Sequence, residues 1–229
     1  MKPAVRITTS KVSSGMGSDS RSVPSSGGTV GALHNNLVMN RRVEVLTRWF
    51  AELLPPQVRV LDVGCGDGAV SAVLHGKRPD IHVEGIDVLP REKTLVPVRI
   101  FDGEHFPFES ASFDVVMFSD VLHHTNDPVI LLREALRVAA GYVLMKDHCR
   151  KGWAAGARLR FMDWVGNARY GVALPYNYWT EQQWRTTWQE LGMVPEKLIT
   201  KLGLYPAPAN WIFGADLHFI ALLKSQRAA

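Results

Sequence analysis

The sequence predicts an α/β fold in which helices cover both faces of a doubly wound, mainly parallel sheet. Three observations support this prediction. Short apolar segments of strand length alternate with segments of helical period between residues 58 and 147. A turn with three glycines, in VLDVGCGDGAVS (60–71), joins the first strand to a helix. An aspartate also stands at or near the carboxyl end of each of the first three strands.

The elements follow one another from a long amino-terminal helix. Apolar residues recur three and four positions apart in NNLVMNRRVEVLTRWFAELLPP, and Pro55-Pro56 ends this helix. Strands are expected at 58–63, 82–88, 96–102, 113–119 and 141–147, with helices at 68–77 and 127–139. A helix is expected at 180–192, opened by a capping box of Thr180 and Gln183, before two further strands near 194–202 and 216–224.

The composition is that of a globular protein, with 46% hydrophobic and 21% charged residues. Residues 1–33 are expected to form a disordered tail rich in Ser and Gly, ahead of one domain over 34–229. A transit peptide is the alternative interpretation of the tail. The net charge is +4, and residues 1–40 contribute most of it, with four Lys or Arg against one Asp. The basic balance therefore gives no reason to expect nucleic acid as a partner.

Cysteine usage and motif spacing exclude several classes of site. Cys65 and Cys149 lack the paired spacing of a disulfide framework or zinc site, and no HExxH motif is present, so no metal is expected. No apolar run reaches the roughly 18 residues that cross a bilayer, and the start of the chain lacks the apolar core of a secretory signal. These observations predict a protein of the reducing cytoplasm.

The glycine turn is expected to bind a ligand. Backbone N–H groups at a helix amino terminus point outward, and missing side chains permit close approach. Gly64, Gly66 and Gly68 form G-x-G-x-G, but Gly64, Gly66 and Ala69 also satisfy the dinucleotide pattern G-x-G-x-x-A. The glycines alone therefore leave two ligands open, a pyrophosphate dinucleotide and another nucleoside.

Three aspartates decide between these ligands. Asp62, two residues before the first glycine, would repel a pyrophosphate but suits a ligand that carries an ammonium group. Asp87 closes the second strand, where a carboxylate can accept hydrogen bonds from ribose hydroxyls. Asp102 closes the third strand. All three fall at the carboxyl edge of the sheet, where ligands bind in such folds.

These motifs resemble the class I S-adenosylmethionine-dependent methyltransferases, in particular the enzymes that act on small molecules. VLDVGCGDG is similar to their first motif, EGIDV to their second, and FDGEHFPFESASFDVVMFSDVLHH to their adenine-binding and fourth-strand region. GYVLMKD is similar to their fifth strand, so the resemblance covers about residues 36–147. It implies a Rossmann-like sheet of seven strands whose last strand is antiparallel.

The resemblance also implies a role for each position of the motifs. Asp62 would lie by the amino group of the cofactor, Asp87 would bind both ribose hydroxyls, and Asp102 would accept from the adenine amino group. The remaining positions would contribute packing or backbone: Gly64, Gly66 and Gly68 along the methionine and ribose, Val88 and Gly103 beside the adenine, and Ser119 at the end of the fourth strand.

Histidines follow the two strands that border this site. His123 and His124 come after the fourth strand and His148 after the fifth. His148 and His124 are the candidate catalytic bases, since methyl transfer to some acceptors needs removal of a proton and histidine titrates near neutral pH. The alternative for each is a hydrogen-bonded polar residue with no catalytic role. Asp147 and His148 are neighbours on a strand and are expected to point to opposite faces.

Residues 150–178 are expected to form an inserted lid. They are aromatic and basic, and 153–165 suits a helix with a broad apolar arc. The sheet's ligand edge, another subunit or a membrane surface would have to cover that arc. Stacking on single-stranded nucleic acid is a further alternative, which no recognisable RNA module supports. The candidate substrate contacts are Trp153, Trp164, Tyr176, Asn177 and Tyr178.

The sequence therefore predicts an S-adenosylmethionine-dependent methyltransferase that acts on a small apolar, aromatic or lipid-like molecule. Peripheral contact with a membrane is compatible with the lid. The alternatives are a non-catalytic protein of this fold that binds a partner through its aromatic loops, and an RNA or protein methyltransferase. Oxygen, nitrogen and carbon acceptors share the scaffold, so the acceptor atom stays open, as does the oligomeric state.

Overall fold

Seven strands form one sheet in a computed structural model that describes residues 28–167, 175–205, 210–214 and 216–226. The strand order is β3-β2-β1-β4-β5-β7-β6. Strands β1 to β5 pair in parallel, and β7 is antiparallel to both β5 and β6. This confirms the doubly wound Rossmann-like fold with an antiparallel last strand. The strands are β1 Arg59–Val63, β2 His82–Asp87, β3 Val98–Ile100, β4 Phe113–Ser119, β5 Ala139–His148, β6 Met193–Ile199 and β7 His218–Ser225.

Five α-helices accompany the sheet within the described residues: α1 Gly28–Leu53, α2 Ala69–Lys77, α3 Pro128–Val138, α4 Ala155–Asn167 and α5 Glu181–Glu190. Helix α1 begins ahead of the expected domain start at residue 34, so the described end of the expected disordered tail is helical. The rest of that tail, 1–27, lies outside the described residues. No helix among the described residues combines the length and hydrophobicity needed to cross a membrane.

The sheet is buried on both faces because alternate residues of its strands point to opposite sides. Val116 and Phe118 of β4 pack into the core that includes α3 and α5. Val115 and Met117 of the same strand pack into the other core, together with Phe50 of α1. This double coverage explains the continuous apolar run of β4. It also leaves the carboxyl edge of the sheet as the place where polar side chains collect.

Side-chain caps fix where the later helices start. The Asp127 carboxylate accepts a 2.9 Å hydrogen bond from the Val129 N–H, and Pro128 stands at the first helical position of α3. Thr180 and Gln183 exchange hydrogen bonds at the start of α5, which confirms the expected capping box.

Replacing Phe50 by alanine tests how α1 is attached. Its ring is fully buried against the sheet, so the variant is expected to lose about 3–5 kcal/mol of unfolding free energy in urea titrations. Glu52→Ala, on the exposed side of the same helix, is the control and should change stability by less than about 0.5 kcal/mol. A loss below about 1 kcal/mol for Phe50→Ala would show that α1 is not held through this ring.

Candidate functional site

The glycine turn after β1 adopts a backbone that favours glycine. Gly64, Gly66 and Gly68 have φ angles of +71°, +61° and +80°. A Cβ on Gly64 would come within 2.7 Å of Val121, and one on Gly68 within 2.6 Å of Val96, so both positions are closely packed. A Cβ on Gly66 would meet nothing within 4 Å. The turn therefore packs tightly at its two ends and faces open space at its centre, where a ligand can approach the backbone.

Asp62 presents a buried oxygen with no partner to the space beside this turn. Its Oδ2 accepts a 2.5 Å hydrogen bond from the Ser71 hydroxyl, while Oδ1 has no hydrogen-bond partner among the described residues. Burial raises the pKa of Asp62 to about 7, although the Ser71 hydrogen bond opposes the rise and the charge of Asp87 adds to it. An unpartnered buried carboxylate oxygen is costly unless a donor meets it. The site therefore suits a ligand with a cationic donor.

Arg42 of α1 supplies the opposite charge at the same cavity. The cavity measures about 140 Å³, and its lining includes Arg42, Asp62, Gly64 and Ser119. One carboxylate and one guanidinium in a single cavity match the two charges of an amino acid. Arg42 was not among the residues inferred from the sequence, because only the tertiary packing of α1 brings it to the glycine turn. The expected position Ser119 does line this cavity.

Asp87 is fixed by backbone hydrogen bonds at the end of β2. Its Oδ2 accepts from the Gly66 N–H and its Oδ1 from the Leu89 N–H, both at 2.8 Å. Each oxygen keeps a second lone pair for a hydroxyl donor. Val88 is half-exposed, and a Cβ on Gly103 would lie 3.3 Å from its side chain. The structure thus brings Val88 and Gly103 together beside Asp87, as the adenine hypothesis requires.

Asp102 caps the turn that follows β3. Its Oδ1 accepts from the N–H groups of Glu104 and His105 at 2.8 and 2.7 Å, and its Oδ2 lies 3.0 Å from Nδ1 of His105. These hydrogen bonds lower the pKa of Asp102 to about 2. The side chain is exposed and its role towards adenine stays a prediction.

A second group of polar side chains lies where β4 and β5 end. Oδ1 of Asp147 accepts a 2.7 Å hydrogen bond from Nδ1 of His123, and Oδ2 accepts from the Leu122 N–H at 3.0 Å. Burial opposes ionisation of Asp147, but the attraction of His123 and the hydrogen bonds from His123 and His148 outweigh it and hold its pKa well below the ordinary value. The structure therefore holds an ionised carboxylate against a histidine ring.

His148 joins this group through His123. Its Nδ1 lies 3.2 Å from Nδ1 of His123 and 3.6 Å from a carboxylate oxygen of Asp147. Burial lowers the pKa of His148, and the nearby charges of His123 and Lys146 lower it further, so the ring is neutral at pH 7. The side chains of neighbouring strand residues are expected to point to opposite faces. Those of Asp147 and His148 nevertheless lie close together, because both contact His123 on the turn after β4.

His124 lies outside this hydrogen-bonded pair. It belongs to the turn Leu122–His124, and its ring centroid is 4.0 Å from that of His123. The sequence hypothesis favoured His148 and His124 as bases. The structure brings His148 to the carboxylate but places His123, rather than His124, in direct contact with Asp147.

The Asp120 carboxylate binds two cationic side chains between the cavity at the glycine turn and the histidines. We call this region the wall. Its carboxylate contacts the guanidinium of Arg42 and the ammonium of Lys146. Burial opposes ionisation of Asp120, but these two cations hold its pKa far below the ordinary value. Lys146 is itself buried, and its ammonium lies 3.3 Å from a ring nitrogen of His218. This ion pair could not be predicted from the sequence, because its members lie far apart along the chain.

The same wall contains a grouping that could coordinate a metal ion. Donor atoms of Asp120, His123 and His148 lie within 4.8 Å of one another, although no metal site was expected from the sequence. Arg42 and Lys146 already balance the charge of the carboxylate in this grouping. A divalent cation would therefore have to displace or face two positive charges.

The inserted segment covers the histidines with aromatic residues. The Tyr178 ring is buried, with its centroid 5.7 Å from the rings of both His123 and His148, and Tyr176 lies 6.3 Å from Tyr178. The Asn177 side chain donates to the carbonyls of residues 125 and 126, each at 3.2 Å, and so ties the segment to the histidine turn. The structure thus brings three of the expected substrate contacts, Tyr176, Asn177 and Tyr178, near the histidines.

The other expected contacts lie elsewhere. Trp153 is 90% exposed on the outside of the segment, away from any buried cluster. Trp164 belongs to α4, but its side chain is outside the described part of the chain, as are residues 168–174 of the expected lid.

Acid titration of stability tests the buried carboxylates. A carboxyl group with a depressed folded-state pKa stabilises the fold above its unfolded value of about 3.9, and this contribution disappears as pH falls through the folded value. Asp147→Asn is therefore expected to be less stable by about 3 kcal/mol at neutral pH and to lose less stability than wild type below about pH 4. Asp127→Asn keeps its helix cap and should follow wild type. Equal pH slopes for wild type and Asp147→Asn in urea titrations would contradict the buried ion pair.

Comparison with known proteins identifies the family of the chain. Residues 38–198, well over half of the chain, match the family model described as a methyltransferase domain. The chain is 30% identical over 148 residues to 2-methyl-6-phytyl-1,4-hydroquinone methyltransferase of Synechocystis, which is 60% of this chain and 41% of that protein. It is 33% identical over 108 residues to 27-O-demethylrifamycin SV methyltransferase of Amycolatopsis mediterranei, or 41% of this chain and 39% of that protein. The chain thus spans less than half the length of these curated relatives.

Solved structures share the fold. A chain of the complex between the Haloferax volcanii Trm112 methyltransferase activator and a methyltransferase has a TM-score of 0.61 at 15% identity, covering 89% of this chain and 99% of that one. Geranyl diphosphate C-methyltransferase of Streptomyces coelicolor has a TM-score of 0.58 at 14% identity, covering 79% and 75%. Together with the family match, the fold shows that the chain belongs to the methyltransferase-domain family of class I, S-adenosylmethionine-dependent methyltransferases.

Proposed function

We propose that this protein transfers the methyl group of S-adenosylmethionine to a nucleophilic atom of a small apolar or aromatic molecule. The observation that carries the proposal is the cavity at the glycine turn, whose lining includes Asp62, with its unpartnered oxygen, and Arg42. The methionine part of this cofactor carries one ammonium and one carboxylate, and the cavity offers one partner for each.

The remaining cofactor contacts follow along the carboxyl edge of the sheet. Asp62 binds the ammonium, Arg42 the carboxylate and Asp87 the ribose hydroxyls. Val88 and Gly103 pack on the adenine, and the backbone at Gly66 leaves room for the ligand to approach. Asp102 contributes to adenine binding by capping the turn that contains Gly103.

Catalysis then depends on whether the histidines orient the acceptor and remove its proton. The cofactor, when bound, supplies a methyl group already activated by a sulfonium, so the protein has to orient the acceptor, exclude water and remove a proton where the acceptor needs it. The hydrogen bond to Asp147 orients the His123 ring through Nδ1, and in the neutral form of this ring Nε2 is the accepting atom. The neutral ring of His148 lies beside it as a second proton acceptor.

The character of the covering segment supports an apolar or aromatic acceptor. Tyr178 and Tyr176 give the region above the histidines flat apolar surface with hydroxyl groups at its rim. The relatives described above are named for 2-methyl-6-phytyl-1,4-hydroquinone and 27-O-demethylrifamycin SV, which are both small molecules. These relatives support a small-molecule acceptor over a macromolecule.

Calorimetry with S-adenosylmethionine and S-adenosylhomocysteine tests cofactor use. Both are expected to bind, and Asp87→Ala should weaken them by about 30-fold or more, because two hydrogen bonds to a carboxylate are lost. Glu190→Ala, on α5, should bind as wild type. Failure of both ligands to bind would favour the non-catalytic alternative, and unchanged affinity of Asp87→Ala would mean that the ribose lies elsewhere.

Proton release on binding tests the role of Asp62. In the free protein its pKa is about 7, and an adjacent ammonium favours the ionised form, so binding at about pH 6 is expected to release up to about one proton. The release should vanish above about pH 8, where Asp62 is already ionised. Calorimetry in two buffers of different ionisation enthalpy measures the effect, and Asp62→Asn should abolish it. Proton uptake, or release that persists in Asp62→Asn, would exclude this role.

Methyl transfer to a panel of phenols and hydroquinones, followed with labelled cofactor, tests the histidines. His123→Gln and Asp147→Asn are expected to lower kcat by about 100-fold or more while cofactor affinity stays the same, because only the acceptor's proton is affected. His82→Gln, an exposed position at the amino-terminal end of β2, is the matched control. Full activity in both variants would remove His123 and Asp147 from the chemistry and leave cofactor binding intact.

A further inference from the structure

Three residues of helix α4 pack together on one of its sides. Ala155 and Leu159 are buried, and Met162 packs beside them, against Tyr178 and Leu217. These three helix positions lie three and four residues apart and so share one face. The inner face of α4 therefore covers the aromatic residue that lies above the histidines.

The outer surface of the segment carries exposed apolar residues that we call the outer stripe, namely Trp153 in the turn before α4 and Ala157 and Phe161 on α4. Trp153, Ala157 and Phe161 are spaced by four residues and are all exposed. Trp153 is 90% exposed and Phe161 53%, although Phe161 also stacks on Phe213 at 6.2 Å. Trp153 is the most exposed large apolar side chain in the described part of the chain. Intramolecular packing gives no reason for a tryptophan at this position.

Basic side chains flank the outer stripe. Arg150, Lys151 and Arg160 are exposed, and residues 150–170 contain five Lys or Arg against one Asp. Lys151 pairs with Glu181 at 3.2 Å, and the guanidinium of Arg160 lies over the Tyr176 ring at 5.5 Å. Glu181 also binds Arg185, so the acid that faces the stripe is already shared between two cations. The surface around Trp153 is therefore both apolar and positively charged.

This surface lies one helix away from the acceptor site. The inner face of α4 contacts Tyr178, whose ring centroid is 5.7 Å from the His123 and His148 rings. The thickness of a helix with its side chains is about 10 Å. About the thickness of one helix therefore separates the outer stripe from Tyr178, which contacts the histidine rings.

We propose that the outer stripe binds the surface of an anionic lipid bilayer. Trp153 and Phe161 enter the boundary between headgroups and acyl chains, while Arg150, Lys151 and Arg160 face the anionic headgroups. Docking in this way presents the acceptor site to molecules held in the membrane. The acceptor is then an amphiphile whose polar head reaches the histidines while its apolar tail stays in the bilayer, a point that rests on the proposed function.

Flotation of the full chain with vesicles tests the proposal without cofactor or acceptor. The protein is expected to float with vesicles of phosphatidylcholine and phosphatidylglycerol and to stay unbound with phosphatidylcholine alone. Trp153→Ala should lower the partition coefficient by about tenfold or more, because a large apolar side chain no longer enters the interface. Arg150→Gln with Arg160→Gln should lower it by about 30-fold, since each cation near the surface contributes roughly fivefold.

A matched control distinguishes binding through the outer stripe from non-specific hydrophobic binding to vesicles. Leu95→Ala removes another exposed apolar side chain, 64% exposed near β3, and should leave vesicle binding unchanged. All of these side chains are exposed, so the variants are expected to fold. Absence of wild-type binding to anionic vesicles overturns the proposal, as does binding that Trp153→Ala leaves unchanged. Light scattering that shows a dimer dissociated by Trp153→Ala would assign the stripe to a second copy instead and would also overturn it.

The vesicle assay fails or succeeds independently of methyl transfer. Loss of vesicle binding with intact cofactor binding would leave the proposed function standing and remove only the membrane surface. Vesicle binding without cofactor binding would keep the surface and remove the enzyme. If the protein binds both vesicles and cofactor, a further comparison is possible. Methyl transfer to a hydroquinone with a long alkyl chain in anionic vesicles should fall in Trp153→Ala, while transfer to a hydroquinone without this chain in solution should not change.

Discussion

The buried carboxylate of Asp120 is the contact on which the rest of the site depends. It binds Arg42 of α1 on one side and Lys146 of β5 on the other. Neither a carboxylate nor an ammonium can remain charged in a protein interior without such partners, and breaking one partnership leaves an uncompensated charge. Arg42 also lines the cavity at the glycine turn. The contacts of Asp120 therefore link α1 at this cavity, the proposed cofactor side, to β5 near the histidines, the proposed acceptor side.

The two sides of this wall use buried charge differently. On the cofactor side, Asp62 keeps an oxygen unpartnered and a raised pKa, so the free protein stores a carboxyl group that a cationic ligand ionises. On the acceptor side, Asp147 is fully partnered and its pKa is depressed, so it stays ionised and orients a histidine. The pKa of these two aspartates thus follows their contacts, since burial raises that of Asp62 while the partners of Asp147 lower its pKa.

Local features could be predicted from the sequence and long-range ones could not. The strand Phe113–Ser119, the glycine turn and the positions of Asp62 and Asp87 follow from short apolar runs and their ends. The pairing of Arg42 with Asp120 joins residues 78 apart, and that of His123 with Asp147 joins residues 24 apart, so both depend on how α1 packs and how β4 and β5 align. The helical wheel of the lid identified its apolar arc, but Trp153 and Phe161 on that arc are exposed, while Leu159 packs on the inner face.

A crystal structure with S-adenosylhomocysteine tests the central claim most directly. The account expects the ligand's amino group within about 3 Å of Oδ1 of Asp62 and its carboxylate on the guanidinium of Arg42, with Asp120 still bound to Lys146. A ligand whose carboxylate lies away from Arg42, or whose amino group finds a partner other than Asp62, would contradict it. In that case the cavity at the glycine turn would not be the site that binds the ammonium and carboxylate groups of the cofactor.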